Sequence, residues 1–353
     1  MRLRLLTNEP ELAQLPWEYA YLPLYEGAND YRHFLVLNPQ ISLVRHEPIA
    51  KQHPRVEGVS AQKLNLLVAM ANPQGDLNLA EEKQTLTKVL EGFEVDGVTL
   101  DWQPVLDDVT VQSLMAALMK KPELFYFAGH GQFDKEGVIQ LQGETADSTY
   151  RMPATELALK LKQAGVRVAM FGCCESARRD GVSEWAGVAP TMVAEGVPVV
   201  VAMQYPVLDK HAIAFSNAFY IALAAGLSVD EAVATGRLAM MGAEVSQQRT
   251  ISVVSEAEEG GLAGGFPANV QWGVPVLYMR SADSVIFSRQ ASQASAVAEQ
   301  IRKVIDQNIG SIRNSQNITG IKIERANSSF TITQSVGEIV DTDNFIGVSL
   351  GEI

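Results

Sequence analysis

The sequence has little cysteine: Cys173 and Cys174 are the only two in 353 residues, and they are adjacent. Neighbouring residues on a strand point to opposite faces, so a disulfide between these two would need a strained ring. A disulfide framework is therefore excluded. We expect a free thiol and a reducing compartment.

Long apolar runs and basic clusters are also missing. No run approaches the roughly 18 apolar residues of a membrane span, and the N-terminus becomes polar too early for a signal peptide. The net charge is -13 and the sequence pI is about 4.9, so phosphate backbones and anionic membranes are repelled on average. We expect a cytoplasmic protein with neither a nucleic-acid nor a membrane partner.

Cofactor motifs are scarce as well. His33, His46, His53 and His211 have no metal-ligand spacing among them. The glycine-rich stretch 260–265 lacks the following Lys-Ser/Thr and the strand-to-helix setting of a phosphate-binding loop. We predict no metal, no nucleotide and no other cofactor.

Short apolar runs alternate with amphipathic stretches from about Lys63 to Met279, which predicts an α/β fold with a mainly parallel sheet between helices. The predicted strands are Leu64–Ala71, Val98–Gln103, Leu124–Ala128, Val166–Phe171, Val197–Ala202 and Val274–Met279. The predicted helices are Ala80–Leu90, Val111–Lys120, Ala154–Ala164, Glu184–Glu195, Asp209–Ala225 and Ser228–Ala243.

The two ends of the chain differ from this core. A short helical start at 15–19 and a β-hairpin formed by 34–37 and 41–45 are expected against the main sheet. Residues 255–272 are acidic and glycine-rich, which predicts a mobile loop. After Phe287 we predict a helix at 291–309 and short half-exposed strands over 311–353. The predicted domains are therefore 1–287 and a small helical and β-rich extension, 288–353.

One candidate catalytic residue is His130, which lies between two glycines at the end of the strand at 124–128. The carboxyl ends of parallel strands are where open α/β sheets bind ligands, and the glycines leave the imidazole accessible. Gly-His-Gly is short, however, and a turn with an incidental histidine fits the motif equally well.

The second candidate is the cysteine pair that follows the strand at 166–171. A thiol close to an imidazole can be activated as a nucleophile, although a cysteine taken alone is more often a core residue. His130 precedes Cys174 by 44 residues, close to the roughly 50 that separate the caspase histidine from its cysteine. Both residues follow strand ends of one sheet, which favours a site.

Several segments together resemble the CHAT domain, a caspase-like peptidase module of clan CD related to caspases and separase. The resemblance covers about residues 12–287, and its segments have a specific order and spacing. They are Leu15-Pro-Trp-Glu, Ile41-Ser-Leu-Val-Arg, Phe127-Ala-Gly-His-Gly, Cys174-Glu-Ser, the stretch from Gly196 through Gln204-Tyr-Pro to Asp209, Ala214-Phe-Ser-Asn-Ala-Phe-Tyr and Trp272-Gly-Val-Pro-Val-Leu-Tyr. It implies a three-layer α/β/α sandwich.

The resemblance also implies roles for individual residues. The family nucleophile falls on Cys174, so Cys173 becomes a small core residue, and pleat parity agrees. His130 would protonate the leaving amine, and the backbone N–H groups of Gly131 and Cys174 would form an oxyanion hole. Family members usually have Asn where this chain has Gly172, so the resemblance does not define the pocket beside this residue. No third catalytic residue is assigned.

Substrate preference has weaker support. Asp134, Glu175, Gln204 and Asp209 are the candidates for substrate binding, with a weak preference for a basic side chain before the scissile bond. Each acid also fits a solvated loop charge, and Asp209 fits a helix N-cap. Trp17, Trp185 and Trp272 are interpreted as packing residues.

The function expected from the resemblance is a regulated prokaryotic effector in defence or programmed cell death, a cysteine endopeptidase that cleaves a protein substrate. A regulatory or sensor protein would dock on residues 288–353, although a simple cap of the domain fits this segment equally well. The alternative is a catalytically silent interaction module on the same fold. A redox sensor ranks last, because Cys173 and Cys174 lack Cys-X-X-Cys spacing.

Overall fold

A computed structural model describes the chain in segments. The described residues are 2–6, 12, 15–22, 33–38, 41–46, 59–60, 63–77, 79–90, 94–95, 98–102, 105–134, 136–145, 148–172, 187–204, 207, 209–224, 227–245, 268–280, 287–288, 321–326, 329–333 and 348–350.

Strands and helices are numbered along the described chain. The strands are β1 (Arg2–Leu6), β2 (Ala20–Tyr21), β3 (Ser42–His46), β4 (Val59–Ser60), β5 (Lys63–Ala71), β6 (Glu94–Val95), β7 (Val98–Trp102), β8 (Leu124–Gly129), β9 (Gly131–Asp134), β10 (Glu136–Gln142), β11 (Thr149–Pro153), β12 (Val168–Gly172), β13 (Val199–Met203), β14 (Pro275–Met279), β15 (Phe287–Ser288), β16 (Ile321–Ala326), β17 (Ser329–Thr333) and β18 (Val348–Leu350). The α-helices are α1 (Leu79–Leu90), α2 (Val111–Leu118), α3 (Ala154–Ala164), α4 (Val188–Glu195), α5 (Asp209–Ala224) and α6 (Val229–Val245), and 3-10 helices span Trp17–Tyr19, Leu35–Leu37 and Ala268–Gly273.

The central sheet has the strand order β1-β3-β14-β13-β12-β8-β5-β7-β6 within the described residues. Its pairs are parallel except for β13 with β14 and β6 with β7. The six predicted core strands and six predicted helices are present, with ends that differ by at most two residues wherever those ends are described. The start of α4 is the exception, because residues 184–186 lie outside the described chain.

Helices cover both faces of this sheet, which confirms the three-layer α/β/α architecture. Strand side chains alternate between two separate cores. Along β8, Leu124 and Tyr126 enter the core under α1, α5 and α6, whereas Phe125 and Phe127 enter the core under α2, α3 and α4. Strands buried on both faces are apolar throughout, as the sequence suggested.

Local signals explain where some helices begin. Thr110 caps α2: its hydroxyl accepts a hydrogen bond from the backbone N–H of Ser113, and the Ser113 hydroxyl accepts one from the N–H of Thr110. This reciprocal arrangement satisfies two donors that a helix start otherwise leaves unpaired. None of the described helices is long and apolar enough to cross a bilayer.

Smaller sheets flank the central one. Strands β9, β10 and β11 form an antiparallel sheet that directly follows the histidine motif, and β4 pairs with β15. The strands predicted near 321 and 330 are confirmed as β16 and β17, and with β18 they form a sheet that also includes β2. The helix predicted at 291–309 and residues 255–267 of the predicted mobile loop lie outside the described residues.

The predicted N-terminal hairpin is wrong. Leu35–Leu37 is a 3-10 helix, and β3 instead lies between β1 and β14, parallel to both. Phe34 forms an isolated antiparallel bridge with Tyr21, and its ring packs edge-on against Trp272 at a centroid distance of 4.7 Å. Its aromatic contacts therefore outweigh the strand propensity of the Leu-Val-Leu run. The short helical start is confirmed at Trp17–Tyr19.

Candidate active site

Strand order reverses between β5 and β8, and these two parallel strands end at the same edge of the sheet. From β5 the chain passes to β7 on one side, then returns to β8 on the other side and continues to β12 and β13. Open α/β sheets bind ligands at such a switch point, where adjacent loops diverge to opposite faces. The described residues that follow β5 and β8 therefore leave the sheet at one edge, where β12 also ends.

His130 follows β8 at this edge and is held there by the backbone on both sides. A Cβ on Gly129 would lie 2.7 Å from the carbonyl oxygen of Ala71 in the neighbouring strand, so only glycine allows this approach. The His130 carbonyl accepts a hydrogen bond of 3.0 Å from the backbone N–H of Gln140 in β10. The accessible imidazole expected from the flanking glycines is wrong, because the His130 side chain is only 8% exposed and therefore largely enclosed.

The imidazole contacts a carboxylate that the sequence analysis did not identify. His130 Nε2 lies 2.7 Å from Oδ1 of Asp76, in the loop that follows β5, and the Asp76 side chain is 47% exposed. An ionised carboxylate only accepts hydrogen bonds, so Nε2 carries the proton. Nδ1 is then the ring nitrogen that does not face Asp76.

The Asp76 loop is itself organised by side chains. The Asn72 Oδ1 accepts from the backbone N–H of Asp76 at 3.2 Å and of Leu77 at 3.3 Å, and Asn72 Nδ2 donates to the Leu77 carbonyl at 2.8 Å. Gln74 Nε2 donates to Gln140 Oε1 at 2.7 Å. Gln140 therefore ties the loop of Asp76 to the backbone of His130.

The cysteines follow β12, the strand next to β8. The described chain ends at Gly172 here, so Cys173, Cys174 and Glu175 lie outside the described residues. The register up to that point is clear: β8 and β12 pair residue n with residue n+44 at all five positions, from Leu124 with Val168 to Ala128 with Gly172. The separation of His130 and Cys174 is the same 44 residues.

Gly172 is the last described residue of β12, and its surroundings leave little room for a side chain. A Cβ there would collide with the Tyr126 hydroxyl and lie 3.4 Å from Oε1 of Glu82. Tyr126 donates a hydrogen bond to that Glu82 oxygen, and both side chains are buried. The volume beside the strand end is thus filled by a tyrosine and a carboxylate from α1.

A buried ion pair organises the end of β13. Arg45 binds both oxygens of Glu18, Nε to Oε1 at 3.1 Å and Nη2 to Oε2 at 2.6 Å, and both side chains are at most 5% exposed. Arg45 Nη2 also donates to Oε1 of Gln204 at 2.9 Å and to the Leu15 carbonyl at 3.0 Å. The Gln204 backbone N–H donates to the Val274 carbonyl at 2.9 Å. Four of the quoted sequence segments therefore meet in one network.

Arg237 of α6 lies near this pair. Its Nη2 donates to the Pro275 carbonyl at 2.7 Å. Burial lowers the pKa of Arg237 to about 10, and the nearby Glu18 carboxylate acts in the opposite direction.

The other predicted site residues are less defined. Gly131 is buried and begins β9, Asp134 ends β9, and Asp209 begins α5, but the side chains of both aspartates lie outside the described part. Gln204 is buried and bonded to Arg45. Trp272 is confirmed as a packing residue, Trp17 is partly buried against the same core, and Trp185 is outside the described residues.

Sequence reasoning missed Asp76 and Glu82. Asp76 follows the end of the predicted strand at 64–71, the kind of position that singled out His130. The strand order needed to place that end beside His130 could not be read from the sequence. Among the described residues, no three His, Cys, Asp or Glu side chains are grouped closely enough to hold a metal ion.

The chain is similar to several solved structures. Solved structures similar to this chain include Saccharomyces cerevisiae separase in its complex with securin, with a TM-score of 0.39 and 17% identity over 76% of this chain. The Arg-specific cysteine proteinase gingipain R has a TM-score of 0.36 and 12% identity over 71%. The matches span 15% of the separase chain and 56% of the gingipain chain.

No curated protein matches the chain significantly. The family model of the CHAT domain matches residues 2–294, which is most of the chain. That match includes the strand ends that carry His130 and Asp76, together with the Glu18–Arg45 network. The chain belongs to the CHAT-domain family.

Proposed function

We propose that the chain is a cysteine endopeptidase in which Cys174 is the nucleophile and His130 the general acid and base. The observation that carries the proposal is the constant 44-residue register between β8 and β12. If the pairing continues for two residues, Cys174 becomes the cross-strand neighbour of His130, on the same face and about 4.8 Å away along the sheet. The same register pairs Cys173 with Gly129, on the opposite face.

In the first half of the reaction, the Cys174 thiolate attacks the scissile carbonyl carbon and the carbonyl oxygen becomes an oxyanion. The His130 imidazolium gives its proton to the leaving nitrogen as the C–N bond breaks, which leaves a thioester on Cys174. A water molecule then attacks the thioester and gives a proton to His130. The acid product leaves, and the thiolate and imidazolium are restored.

The backbone N–H of Gly131, with that of Cys174, is proposed to bind the oxyanion. Because the N–H of Gln140 bonds the carbonyl of His130, those two residues form a hydrogen-bonded pair of the antiparallel β9–β10 ladder. In such a ladder the next residue points its N–H away from the partner strand. This supports a Gly131 N–H that points out of the small sheet, where a substrate oxygen can accept its hydrogen bond.

Acidic residues near the strand ends and the C-terminal extension are the proposed substrate-binding and regulatory parts. Asp134, Glu175 and Asp209 remain candidates to bind a basic substrate side chain, whereas the Gln204 oxygen is committed to Arg45. A partner that docks on 288–353 would act on β2, since β18 pairs with Ala20 and Tyr21. Those residues follow Glu18 closely, which offers a route from the extension to the buried network.

Peptide cleavage tests the proposal. The wild type, Cys174→Ala, Cys173→Ala and His130→Ala proteins are incubated with a mixed peptide library, and new termini are identified by mass spectrometry. We expect Cys174→Ala and His130→Ala to lose cleavage by at least about 100-fold, consistent with the usual contribution of acid–base catalysis. Cys173→Ala should keep it.

Each variant can also contradict a part of the proposal. Equal cleavage by the wild type and Cys174→Ala would remove the protease function, and loss only in Cys173→Ala would move the nucleophile by one position. Because an unactivated peptidase cuts nothing, labelling with a thiol-reactive probe is run in parallel. Failure of Cys174 to label in preference to Cys173 would then count against the site.

A further inference from the structure

We propose that Asp76 is a positioning residue for His130, so that the site works as a Cys174–His130–Asp76 triad. The inference rests on the proposed function, because it needs Cys174 beside His130. Its structural basis is the 2.7 Å contact between His130 Nε2 and Asp76 Oδ1. This length is typical of a charge-assisted hydrogen bond.

The contact determines which imidazole nitrogen faces the thiol. Nε2–H donates its hydrogen bond to the carboxylate, so Nδ1 is the nitrogen that faces the thiol. In the neutral ring Nδ1 accepts the thiol proton, and in the protonated ring it gives that proton to the leaving amine. The carboxylate also stabilises the imidazolium, and the imidazolium in turn stabilises the thiolate. Loss of Asp76 should therefore lower the thiolate fraction at neutral pH.

The surroundings of the pair distinguish it from an ordinary surface contact. The His130 imidazole is only 8% exposed, and the His130 carbonyl accepts a hydrogen bond from the backbone N–H of Gln140. The loop of Asp76 is fixed by Asn72 and by the Gln74–Gln140 hydrogen bond. Both partners are therefore held in place before substrate binds, as orientation of a catalytic histidine requires.

The ion pair of Asp107 with Lys83 provides an internal contrast. Asp107 is 48% exposed, nearly the same as Asp76, but its partner Lys83 is 41% exposed. Two mobile, solvated side chains gain little from such a pairing. Asp107 is therefore a matched control, an exposed aspartate near the same edge with no enclosed partner to orient.

Alkylation of Cys174 by iodoacetamide tests the inference without any need for a substrate. Because the chain has only two cysteines, a Cys173→Ala background leaves a single thiol. Rates are measured at pH 7 and at pH 9.5 for this background and for added Asp76→Ala, Asp76→Asn, His130→Ala and Asp107→Ala. At pH 9.5 the thiol ionises without help, since an ordinary cysteine pKa is about 8.5.

We expect Asp76→Ala to slow alkylation about tenfold at pH 7 and less than about twofold at pH 9.5, consistent with loss of one partner charge. The alkylation rate of Asp76→Asn at pH 7 should lie between those of the background and Asp76→Ala. Its amide oxygen can still accept a hydrogen bond from Nε2–H, but the negative charge is gone. His130→Ala should be at least as slow as Asp76→Ala at pH 7. Asp107→Ala should match the background at both pH values.

The contrary outcomes are distinct. If His130→Ala is slow at pH 7 and Asp76→Ala is not, the triad is overturned while the proposed dyad stands. If neither change slows alkylation, His130 does not activate Cys174, and both proposals fail. If Asp76→Ala is slowed equally at both pH values, its effect is on access or folding, and the positioning role is overturned.

Discussion

Two side-chain pairs lie at strand ends on either side of β12, and they differ in burial. Glu18 and Arg45 are both almost fully enclosed, and they bind each other through two hydrogen bonds before Arg45 reaches Gln204 at the end of β13. Asp76 is half exposed, and only its partner His130 is enclosed. One pair therefore lies in the packed interior, whereas the other reaches the surface through Asp76.

This difference indicates different contributions to the molecule. A buried ion pair that loses one partner leaves an uncompensated charge in the interior, so it must stay intact for the fold to persist. A half-exposed carboxylate can be removed and replaced by water at little cost. We therefore expect the Glu18–Arg45 pair to govern stability and the Asp76–His130 pair to govern reactivity.

The largest expected effect is on stability. Arg45→Met should lower the free energy of unfolding by about 3–5 kcal/mol, because it leaves Glu18 buried without its main partner. The thermal unfolding midpoint at pH 7 measures the loss. Lys83→Met, which removes a cation from an exposed pair, is the control and should cost less than about 1 kcal/mol.

A second variant shows whether charge is the cause. Arg45→Met with Glu18→Gln removes both charges and should be less destabilised than the sum of the single changes, because no unpaired charge remains. Strict additivity would mean that the arginine acts mainly through packing of its stem. A free energy of unfolding for Arg45→Met within about 1 kcal/mol of the wild type would remove the contrast between the two regions.

The strand end between the two pairs gives an intermediate effect. A Cβ at position 172 would collide with the Tyr126 hydroxyl, so Gly172→Ala should cost about 1–3 kcal/mol through overpacking. In a Tyr126→Phe background the colliding oxygen is absent, and the nearest ring atom is Cζ at 3.0 Å. The same alanine should then cost much less.

Tyr126→Phe is itself destabilising, because Glu82 loses a buried hydrogen-bond donor. The informative quantity is therefore the coupling free energy of the double-mutant cycle, obtained from four unfolding measurements. We expect a coupling of about 1 kcal/mol or more. An equal cost of Gly172→Ala in both backgrounds would show that the tyrosine does not exclude a side chain at 172.

The sheet and its helices could be predicted from sequence because their signal is local. Apolar strands such as Leu124–Gly129 and an amphipathic helix such as Ala154–Ala164 carry their own periodicity. The hairpin prediction at 34–45 failed because Phe34 and the following turn are fixed by distant aromatic rings, including Trp272. Tertiary packing outweighed local propensity there.

The site could be predicted only in part, for a related reason. His130 and Cys174 were predicted as site residues because each follows an apolar strand and the resemblance to the family joins them. Asp76 was missed because its relation to His130 depends on β5 being the neighbour of β8, which is a property of strand order. Sequence alone also gave no reason for Gly172, whereas the Tyr126 hydroxyl does.

The smallest expected effect completes the comparison. Asp76→Ala should lower the free energy of unfolding by less than about 1 kcal/mol, the same within error as Asp107→Ala, because both carboxylates are about half exposed. Thermal midpoints at pH 7 are compared with the alkylation rates of the same preparations. If Asp76→Ala keeps its thermal midpoint and loses thiol reactivity, Asp76 acts by positioning His130 and not by stabilising the fold. A loss as large as that of Arg45→Met would instead make Asp76 a structural residue, and the exposed pair would then differ from the buried one only in location.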